Sequence, residues 1–423
     1  MTWPTKPLGE LTINHDGKRR PVKEAERRPG PYPYYGASGV VDYVDDYLID
    51  GDYLLVAEDG ENLRTRQTPI AFMARGKSWV NNHAHIVTGN ERADTRFLMY
   101  AIQATDIGGY LTGAVMPKLT QANLNRIQLP CPDMDVQRQV AEALGALDDK
   151  IELNRRMSQT LEDIAHAIFK SWFVDFDPVL ALSAGQDPAQ VAGRLGLSPE
   201  AIQLFTSELA DVEGQLTPVG WKLSTLGEEV KAHGGLLQTG PFGSQLHASD
   251  YTDDGIPVVM PQDLVNRRIA TGRVARIPQD TADGLKRHML KAGDVVYSRR
   301  GDVERHALVS PREIGWLCGT GCLLVRMGSG WPSPAYLSET LNDKTTREWI
   351  VRHAVGATMP NLNTAILASV PLLVPPAPLL QHFESVVGTL REQQEALSTE
   401  AESLAALRDE LLPRLLSGEL VVA

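Results

Sequence analysis

An internal repeat limits the possible folds of this chain more than any other feature of its sequence. Gly113-Ala114-Val115-Met116-Pro117-Lys118-Leu119 recurs as Gly356-Ala357-Thr358-Met359-Pro360-Asn361-Leu362, at an offset of 243. Further matches pair Trp3, Leu8 and Gly9 with Trp221, Leu226 and Gly227 at an offset of 218, and Gly51-Asp52 with Gly293-Asp294 at 242. Because the offset grows by about 24 residues between these last two matches, the second copy is predicted to carry an insertion in its first half. The sequence therefore predicts two domains of similar fold.

Each copy ends in a segment with a heptad pattern. Spacings of four and three residues connect apolar positions that we call the helix seam: Val140, Leu144, Leu147, Ile151, Leu161 and Ile168 in the first copy, and Phe383, Val387, Leu390, Leu397, Leu404 and Leu411 in the second. This period keeps one stripe of a helix facing a partner helix, so the two segments are predicted to pair with each other. The alternative is that each helix only covers its own domain. Four polar residues interrupt the seam and either weaken the pairing or fix its register: Asn154, Ser158, Gln394 and Arg408.

The length of 423 residues exceeds that of one ordinary domain, which agrees with a duplicated unit. We predict an α+β fold in which two pseudo-symmetric α/β domains are separated by two long helices that pair as an antiparallel coiled coil. In chain order the predicted segments are a first globular domain over 1–132, a central helix over 133–178, a connector over 179–217, a second globular domain over 218–380 and a C-terminal helix over 381–423.

The composition is typical of a folded protein of the cytoplasm. Apolar residues make up 43% of the chain and charged residues 22%. There is no apolar run of roughly eighteen residues that would span a membrane, and the N-terminus has no secretion signal. Cys318 and Cys322 have no second pair of ligands, so we interpret them as structural thiols rather than a zinc site.

No catalytic residues are predicted. The chain has neither a Walker-type phosphate loop nor the glycine fingerprint of a dinucleotide site, and it lacks the Asn-Pro-Pro-aromatic and Asp-Pro-Pro-Tyr tetrapeptides of amino-methyltransferases. Asp52 with Glu58-Asp59 comes closest to a metal-dependent nuclease but has no following lysine, so we interpret it as a turn. His83 and His85 would share one face of a strand, yet without nearby carboxylates they predict no metal site. We expect no metal and no cofactor on this chain.

Basic residues are concentrated away from the helices, although the net charge of the chain is −12. Residues 261–312 contain eleven Lys/Arg against six Asp/Glu, whereas 384–419 contain eight acidic residues against three basic ones. Arg and Asn or Gln side chains can read bases, and Lys can bind phosphates, so the polar residues of the globular segments are candidates for DNA contact. The candidates are Lys18, Arg19, Arg20, Arg64, Arg66, Lys77, Asn81, Asn82, Ser244, Gln245, Arg267, Arg268, Lys286, Arg287, Arg299 and Arg300. For any single Arg, a solvated surface position is the competing interpretation.

Several motifs resemble those of a known family, the specificity subunits of type I restriction–modification enzymes. Residues 17–21 (Gly-Lys-Arg-Arg-Pro), 34–39 (Tyr-Tyr-Gly-Ala-Ser-Gly) and 43–47 (Tyr-Val-Asp-Asp-Tyr) resemble the family's first target-recognition domain, and 241–244 with 255–258 the start of its second. Gln137-Arg138-Gln139, the closing run 172–178 and the ending 407–420 resemble the family's helical spacers. The chain departs from the pattern at Leu380-Gln381-His382, where the second helix starts without a Gln-Arg-Gln run.

The resemblance implies a non-catalytic subunit that binds double-stranded DNA. Each globular domain would read one half of a bipartite asymmetric site, while the helices would set the spacing and dock two methyltransferase subunits. Two motor-endonuclease subunits would complete the complex, and S-adenosylmethionine, ATP and Mg²⁺ would be bound by these partners. The alternative is a specificity factor for a methylation-only or other defence methylase system.

Overall fold

The computed structural model describes residues 3–212, 214–243, 245–272, 274–356 and 359–421. In the first copy of the repeat the strands are β1 (Thr5–Pro7), β2 (Thr12–Asn14), β3 (Pro29–Gly36), β4 (Gly39–Val44), β5 (Tyr53–Ala57), β6 (Ala71–Ala74), β7 (Trp79–Val80), β8 (Ala84–Gly89) and β9 (Gln128–Pro130). The connector contributes β10 (Leu209–Val212) and β11 (Gln215–Pro218). The second copy contains β12 (Lys222–Thr225), β13 (Leu236–Thr239), β14 (Ile256–Val259), β15 (Leu264–Val265), β16 (Arg268–Ile269), β17 (Ala275–Ile277), β18 (Val295–Ser298), β19 (His306–Leu308), β20 (Leu317–Cys318), β21 (Cys322–Arg326) and β22 (Pro371–Val374).

The α-helices follow the same repeat. They are α1 (Asn62–Thr65), α2 (Thr95–Ala104), α3 (Gln121–Leu124), α4 (Met134–Phe169), α5 (Asp177–Ser183), α6 (Pro188–Leu195), α7 (Leu226–Ala232), α8 (Gln279–Gly284), α9 (Pro334–Asn342), α10 (Lys344–His353), α11 (Thr364–Ala368) and α12 (Ala377–Ser417). In the described ranges no helix is both long and apolar enough to span a membrane.

The chain divides into two compact units, and long helices contribute to both. Unit 1 contains residues 1–158 and 396–423, and unit 2 contains residues 159–395. Each unit therefore combines one globular copy with part of α4 and part of α12. Helix α4 is divided after residue 158 and helix α12 before residue 396.

The globular part of unit 1 is built on a four-stranded antiparallel sheet in the order β2-β8-β5-β6. A second sheet has the order β4-β3-β7, in which β3 and β7 are parallel, and β1 pairs with β9. Helix α2 packs on the first sheet with Phe97, Leu98, Tyr100 and Ile102 buried. Its first turn is capped by the Asp94 carboxylate, which accepts a hydrogen bond from the Phe97 amide at 2.9 Å.

Unit 2 repeats this topology strand for strand. Its four-stranded sheet has the order β13-β21-β18-β19, the three-stranded sheet has the order β17-β14-β20 with β14 and β20 parallel, and β12 pairs with β22. Most of the additional length lies between β14 and β18, where the second copy has the β15–β16 hairpin and helix α8. The predicted fold class, with its two pseudo-symmetric α/β domains, is confirmed.

The helix seam is the side on which the two long helices pack, and its residues are buried or partly exposed. In unit 1, Val140 and Leu144 of α4 belong to the same core as Leu415 and Leu416 of α12. In unit 2, Phe169 of α4 packs against Phe383 of α12, with ring centroids 6.3 Å apart. The N-terminal part of α4 thus pairs with the C-terminal part of α12 and the later part of α4 with the earlier part of α12, which is the antiparallel arrangement. Leu147, Leu161, Ile168, Leu390, Leu397, Leu404 and Leu411 are partly exposed, whereas Val140, Leu144, Ile151, Phe383 and Val387 are buried.

Polar residues in the seam have partners on the opposite helix. Asn154 donates to a Glu400 carboxylate oxygen at 2.8 Å, and Arg408 contacts Asp148 at 2.8 Å. In unit 2, Gln394 donates to Glu162 at 3.5 Å. These contacts join particular positions of the two helices, so they can fix register in the way that polar seam residues do in coiled coils.

The helix ends differ from the predicted segment limits. Helix α4 continues as a π-helical turn over Lys170–Val174 and ends before Phe176, whose φ of 55° is left-handed. Helix α12 begins at Ala377, ahead of the predicted residue 381, because Pro378 fits the first turn of a helix. The connector is ordered around the buried side chains of Val179, Val191 and Ile202.

Candidate nucleic-acid interface

Arg64 and Arg66 lie at the C-terminal end of the short helix α1. The Arg64 guanidinium donates to the carbonyl oxygens of Gly113 and Ala114 at 2.9 and 3.3 Å, and it pairs with Glu61. Arg66 has a left-handed φ of 49° and donates to the Gln103 and Thr105 carbonyls at 2.8 and 2.5 Å. Both residues therefore hold loops of unit 1 in place while remaining exposed at the surface.

Lys18, Arg19 and Arg20 follow β2 but do not form one basic patch. Lys18 is exposed and donates to the Tyr53 hydroxyl at 3.2 Å. The Arg19 guanidinium is turned inward, where it pairs with Asp16 and Glu58. Arg20 is exposed, and its carbonyl accepts a hydrogen bond from the Trp79 indole at 2.7 Å. Of the three, only Lys18 and Arg20 have the exposure expected of a DNA contact.

Lys77, Asn81 and Asn82 lie around β7. Lys77 is exposed, with its ammonium 4.7 Å from the centre of the Tyr47 ring. Asn81 is buried, and its side chain accepts from the His83 amide at 2.8 Å. Asn82 is exposed. Asn81 therefore shapes the loop, and Asn82 is the residue positioned for an external contact.

In unit 2, the segment after β18 carries exposed positive charge. Arg300 is exposed and Arg299 is half-buried, with its guanidinium 5.9 Å from the centre of the exposed Phe242 ring. Within the described ranges no carboxylate forms a salt bridge with either arginine. Gln245 is exposed and its side chain accepts from the Phe242 amide at 3.3 Å, whereas Ser244 lies outside the described residues. Arg299 and Arg300 are thus the strongest of the predicted DNA contacts in this unit.

The remaining candidates of unit 2 differ in their surroundings. Lys286 and Arg287 are exposed on a 3-10 turn after α8, and Arg287 donates to the ring of buried His288 at 2.9 Å. Burial lowers the pKa of His288 to about 4. Arg267 and Arg268 lie in the β15–β16 hairpin and are only partly exposed. Arg267 forms ion pairs with Glu162 and Glu339, an arrangement that holds the hairpin in place, so we revise its predicted role from DNA contact to structural support.

The expectation that His83 and His85 have no carboxylates nearby is wrong. His83 Nδ1 lies 2.9 Å from an Asp59 oxygen, and His85 Nδ1 lies 2.6 Å from an Asp16 oxygen. His85 is buried, and its Nε2 lies 2.8 Å from the Leu119 carbonyl oxygen. Although burial opposes ionisation, hydrogen bonds from His85 and the Ile86 amide lower the pKa of Asp16. No group of metal-ligating side chains is found in the parts of the chain that the structure describes.

Glu58, singled out as the nearest approach to a nuclease motif, is held by two cations. It pairs with Arg19, and its other oxygen lies 3.1 Å from the ammonium of Lys118, a residue distant in sequence. Burial would raise the pKa of Glu58, but the hydrogen bonds from Arg19 and Lys118 lower it. Cys318 and Cys322 are buried, and burial raises the pKa of Cys318 to about 12, as expected of structural thiols.

The repeated Gly-Ala-x-Met-Pro motif, which the sequence indicated only as a sign of duplication, has an exposed methionine in each copy and lies beside several of these residues. Arg64 contacts the loop of unit 1, and Arg299 with Arg300 adjoins the loop of unit 2. The sequence signal that could have identified it earlier was a methionine retained at the same position of both copies.

Comparison with known proteins shows what the chain is similar to. A family model for the type I restriction modification DNA specificity domain matches residues 1–163. The specificity subunit of the type I restriction enzyme MjaIX from Methanocaldococcus jannaschii is 24% identical over 437 residues, which is 99% of this chain and 94% of that protein. Over nearly its whole length the chain is therefore similar to a type I restriction enzyme specificity subunit. Its first 163 residues match a DNA specificity domain.

Two further matches fit this placement. A Haemophilus influenzae protein provisionally named a type I restriction enzyme specificity subunit is 38% identical over 142 residues, and this match spans 34% of the chain and 36% of that protein. The crystal structure of the type I S subunit from M. genitalium superposes with a TM-score of 0.59 at 15% identity, covering 98% of this chain and 96% of that one. At this identity the second match shows a common fold only. The methylation-only alternative is not favoured by these names.

Proposed function

We propose that this specificity subunit reads an asymmetric bipartite DNA sequence, with one half bound by each globular copy. The observation that carries the proposal is that equivalent strands end in opposite charges. Strand β5 is followed by Glu58 and Asp59, whereas β18 is followed by Arg299 and Arg300. Two domains of one topology that present different side chains at equivalent positions are suited to two different half-sites.

The remaining candidates for base and phosphate contact are exposed on the globular parts: Lys18, Arg20, Arg64, Arg66, Lys77, Asn82, Gln245, Lys286, Arg287, Arg299 and Arg300. We assign them to DNA as a set. Arg19, Asn81 and Arg267 instead support the loops that carry these residues, and Arg268 belongs to the same hairpin as Arg267. The predicted domain limits, at residues 132, 178, 217 and 380, remain part of this proposal.

The long helices are proposed to set the spacing of the two half-sites and to bind methyltransferase subunits. Helix α4 has 36 residues, which is ~54 Å at 1.5 Å per residue. On its outer side Leu153 and Met157, one turn apart, are 50% and 45% exposed. An exposed apolar pair on a helix is typical of a surface that another protein covers. Two methyltransferase and two motor-endonuclease subunits would then supply S-adenosylmethionine, ATP and Mg²⁺ chemistry.

The test is to assemble the chain with its methyltransferase partner and map methylation across a plasmid library. We expect adenine methylation at one asymmetric bipartite sequence and none with the chain alone. Replacing Arg299 and Arg300 by Ala should relax bases in one half-site only and reduce the salt dependence of binding by about one unit per lost phosphate contact. Arg194→Ala, which removes an exposed charge of the connector, is the matched control. Methylation by the chain alone, or relaxation of both halves, would contradict the proposal.

A further inference from the structure

The residues that flank the repeated motif are joined in the same way in both copies. In unit 1, Thr112 and Lys118 exchange two backbone hydrogen bonds of 2.8 and 2.7 Å, and these close the loop over residues 113–117. In unit 2, Val355 and Asn361 exchange equivalent hydrogen bonds of 3.0 and 2.9 Å. The two pairs of flanking residues, Thr112 with Lys118 and Val355 with Asn361, are also related by the offset of 243.

Most residues of the motif are explained by the folding of the loop. Gly113 and Gly356 have φ values of 87° and 116°, and an added Cβ would lie 2.2 and 2.6 Å from the carbonyl oxygens of Met116 and Met359. Only glycine fits such a position. Leu119, the residue that ends the motif in unit 1, is buried in the core. These residues are required by the fold.

The methionine is not explained in this way. Met116 is 64% exposed and Met359 is 62% exposed, so neither side chain is required by its own core. Val115, the residue before Met116, is 95% exposed, and Val355, four residues before Met359, is 63% exposed. An apolar residue that occupies the same exposed position in both copies indicates a function outside the domain.

Cations adjoin each loop, and those of unit 1 are paired with carboxylates. Arg64 donates to two carbonyl oxygens of the unit 1 loop and pairs with Glu61, while Lys118 at the end of the loop is half-exposed and pairs with Glu58. In unit 2, the Gly301 amide donates to the Pro360 carbonyl at 3.0 Å, and Arg300 forms a backbone bridge with Asn361. An apolar tip beside cations is complementary to a nucleic-acid duplex, because phosphates can pair with the cations while the tip contacts a base step.

We propose that Met116 and Met359 are wedges that press against base steps of the DNA, one in each half-site. The proposal rests on the function proposed above and deepens it. The residues beside the loops differ between the copies, whereas the methionine is the same in both. The wedge would therefore deform the duplex at either half-site without reading its sequence, and the surrounding polar side chains would supply the base preference.

The experiment uses the complex assembled with the methyltransferase partner and duplexes that carry 2-aminopurine at single positions through each half-site. In the native complex, fluorescence should rise at one or two adjacent positions per half-site in addition to the methylated adenine, which the methyltransferase itself would unstack. Met116→Ala should abolish the rise in one half only and Met359→Ala in the other. We expect each substitution to weaken binding roughly tenfold and to leave the methylated sequence unchanged. Met116→Leu and Met359→Leu should retain both the fluorescence rise and the native affinity.

Ile13→Ala removes another apolar side chain of unit 1 that is 51% exposed, and it should change neither property. All variants should unfold at the native temperature, because the methionine side chains are exposed. If the native complex methylates its site while every probe stays silent, the wedge is wrong and the proposed function survives. If the methionine variants bind DNA normally but lose the methyltransferase, the loops are protein contacts and the wedge is again wrong. A native complex that recognises no sequence contradicts both proposals.

Discussion

The guanidinium Nη2 of Arg267 lies 2.5 Å from the Glu339 carboxylate oxygen Oε1 inside unit 2. The same carboxylate accepts from Arg391 at 3.1 Å, and Arg267 also pairs with Glu162 at 3.3 Å. Arg267 sits in the turn between β15 and β16, where Asn266 and Arg267 have φ values of 49° and 61°. A left-handed arginine is strained, so these ion pairs hold the inserted hairpin in a conformation that Arg267 by itself does not favour.

Arg267→Ala should destabilise unit 2. Glu339 is 1% exposed, so loss of one cation leaves a buried carboxylate with fewer partners, at a cost of about 2–4 kcal/mol. Urea unfolding followed by tryptophan fluorescence measures the loss. Arg300→Ala removes an exposed arginine from the same unit and should change stability by less than ~0.5 kcal/mol. Equal stability of the two variants would contradict the structural role of Arg267.

The same cluster predicts that the unfolding free energy depends on pH, through Glu339 at low pH and through His166 at higher pH. Burial alone would raise the pKa of Glu339, but hydrogen bonding from His166 and the nearby arginines lower it to about 2. Its contribution is therefore complete above the ordinary value of 4.5 and is lost as the pH falls from there towards 2. The unfolding free energy, measured from about pH 5 downwards, should fall less steeply in Glu339→Gln than in the native protein.

His166 should act in the opposite direction. Its hydrogen bond with Glu339 raises the pKa of His166 above 6.5, so the contribution is complete below that value and is lost as the pH rises through the raised pKa. Because the side chain is 41% exposed, we expect less than ~1 kcal/mol after solvent screening. His166→Gln should therefore lower stability at about pH 6 and have little effect at about pH 9. An equal loss at both values would indicate a packing role.

Gly113→Ala should destabilise unit 1 by about 1–3 kcal/mol, because its φ of 87° is unfavourable for alanine and the new Cβ would approach the Met116 carbonyl. Gly109→Ala is the control, since a Cβ there meets nothing within 4 Å. Thermal unfolding compares the two. A Gly113 variant as stable as the control would show that the loop can rearrange.

A fragment over residues 1–210 should dimerise at micromolar concentration. It lacks the part of α12 that packs on Val140 and Leu144, and each exposed seam residue would gain about 1.5–3 kcal/mol on burial. Two fragments can rebuild the pairing with a two-fold axis. With the methyltransferase the dimer should direct methylation to a palindrome of the first half-site. Sedimentation should detect the dimer, and Leu144→Asp should abolish it. A folded monomer without that substitution would contradict the seam pairing.

The order of the elements followed from the sequence. The offset near 243 predicted two domains of one topology, and the spacing of Val140, Leu144 and Ile151 predicted the buried face of α4. Both signals are visible in one chain because they depend on residues that are close in sequence or repeated at a fixed distance. The insertion was predicted from the change in offset, and it is occupied by β15, β16 and α8.

The sequence determined which residue types the loops contain, whereas the tertiary structure decided which of these residues are exposed for contact with DNA. Lys18 and Arg19 are neighbours of similar chemistry, yet Arg19 turns to Glu58 and Lys18 remains exposed. Arg267 forms its ion pair with Glu339, which is 72 residues away in sequence, and no local sequence pattern predicts a contact at that separation. Ion pairs and exposure depend on side chains that only the completed sheets and helices bring together. For this reason the repetition of Met116 and Met359 could be recognised in the sequence, whereas their exposure was decided by the fold.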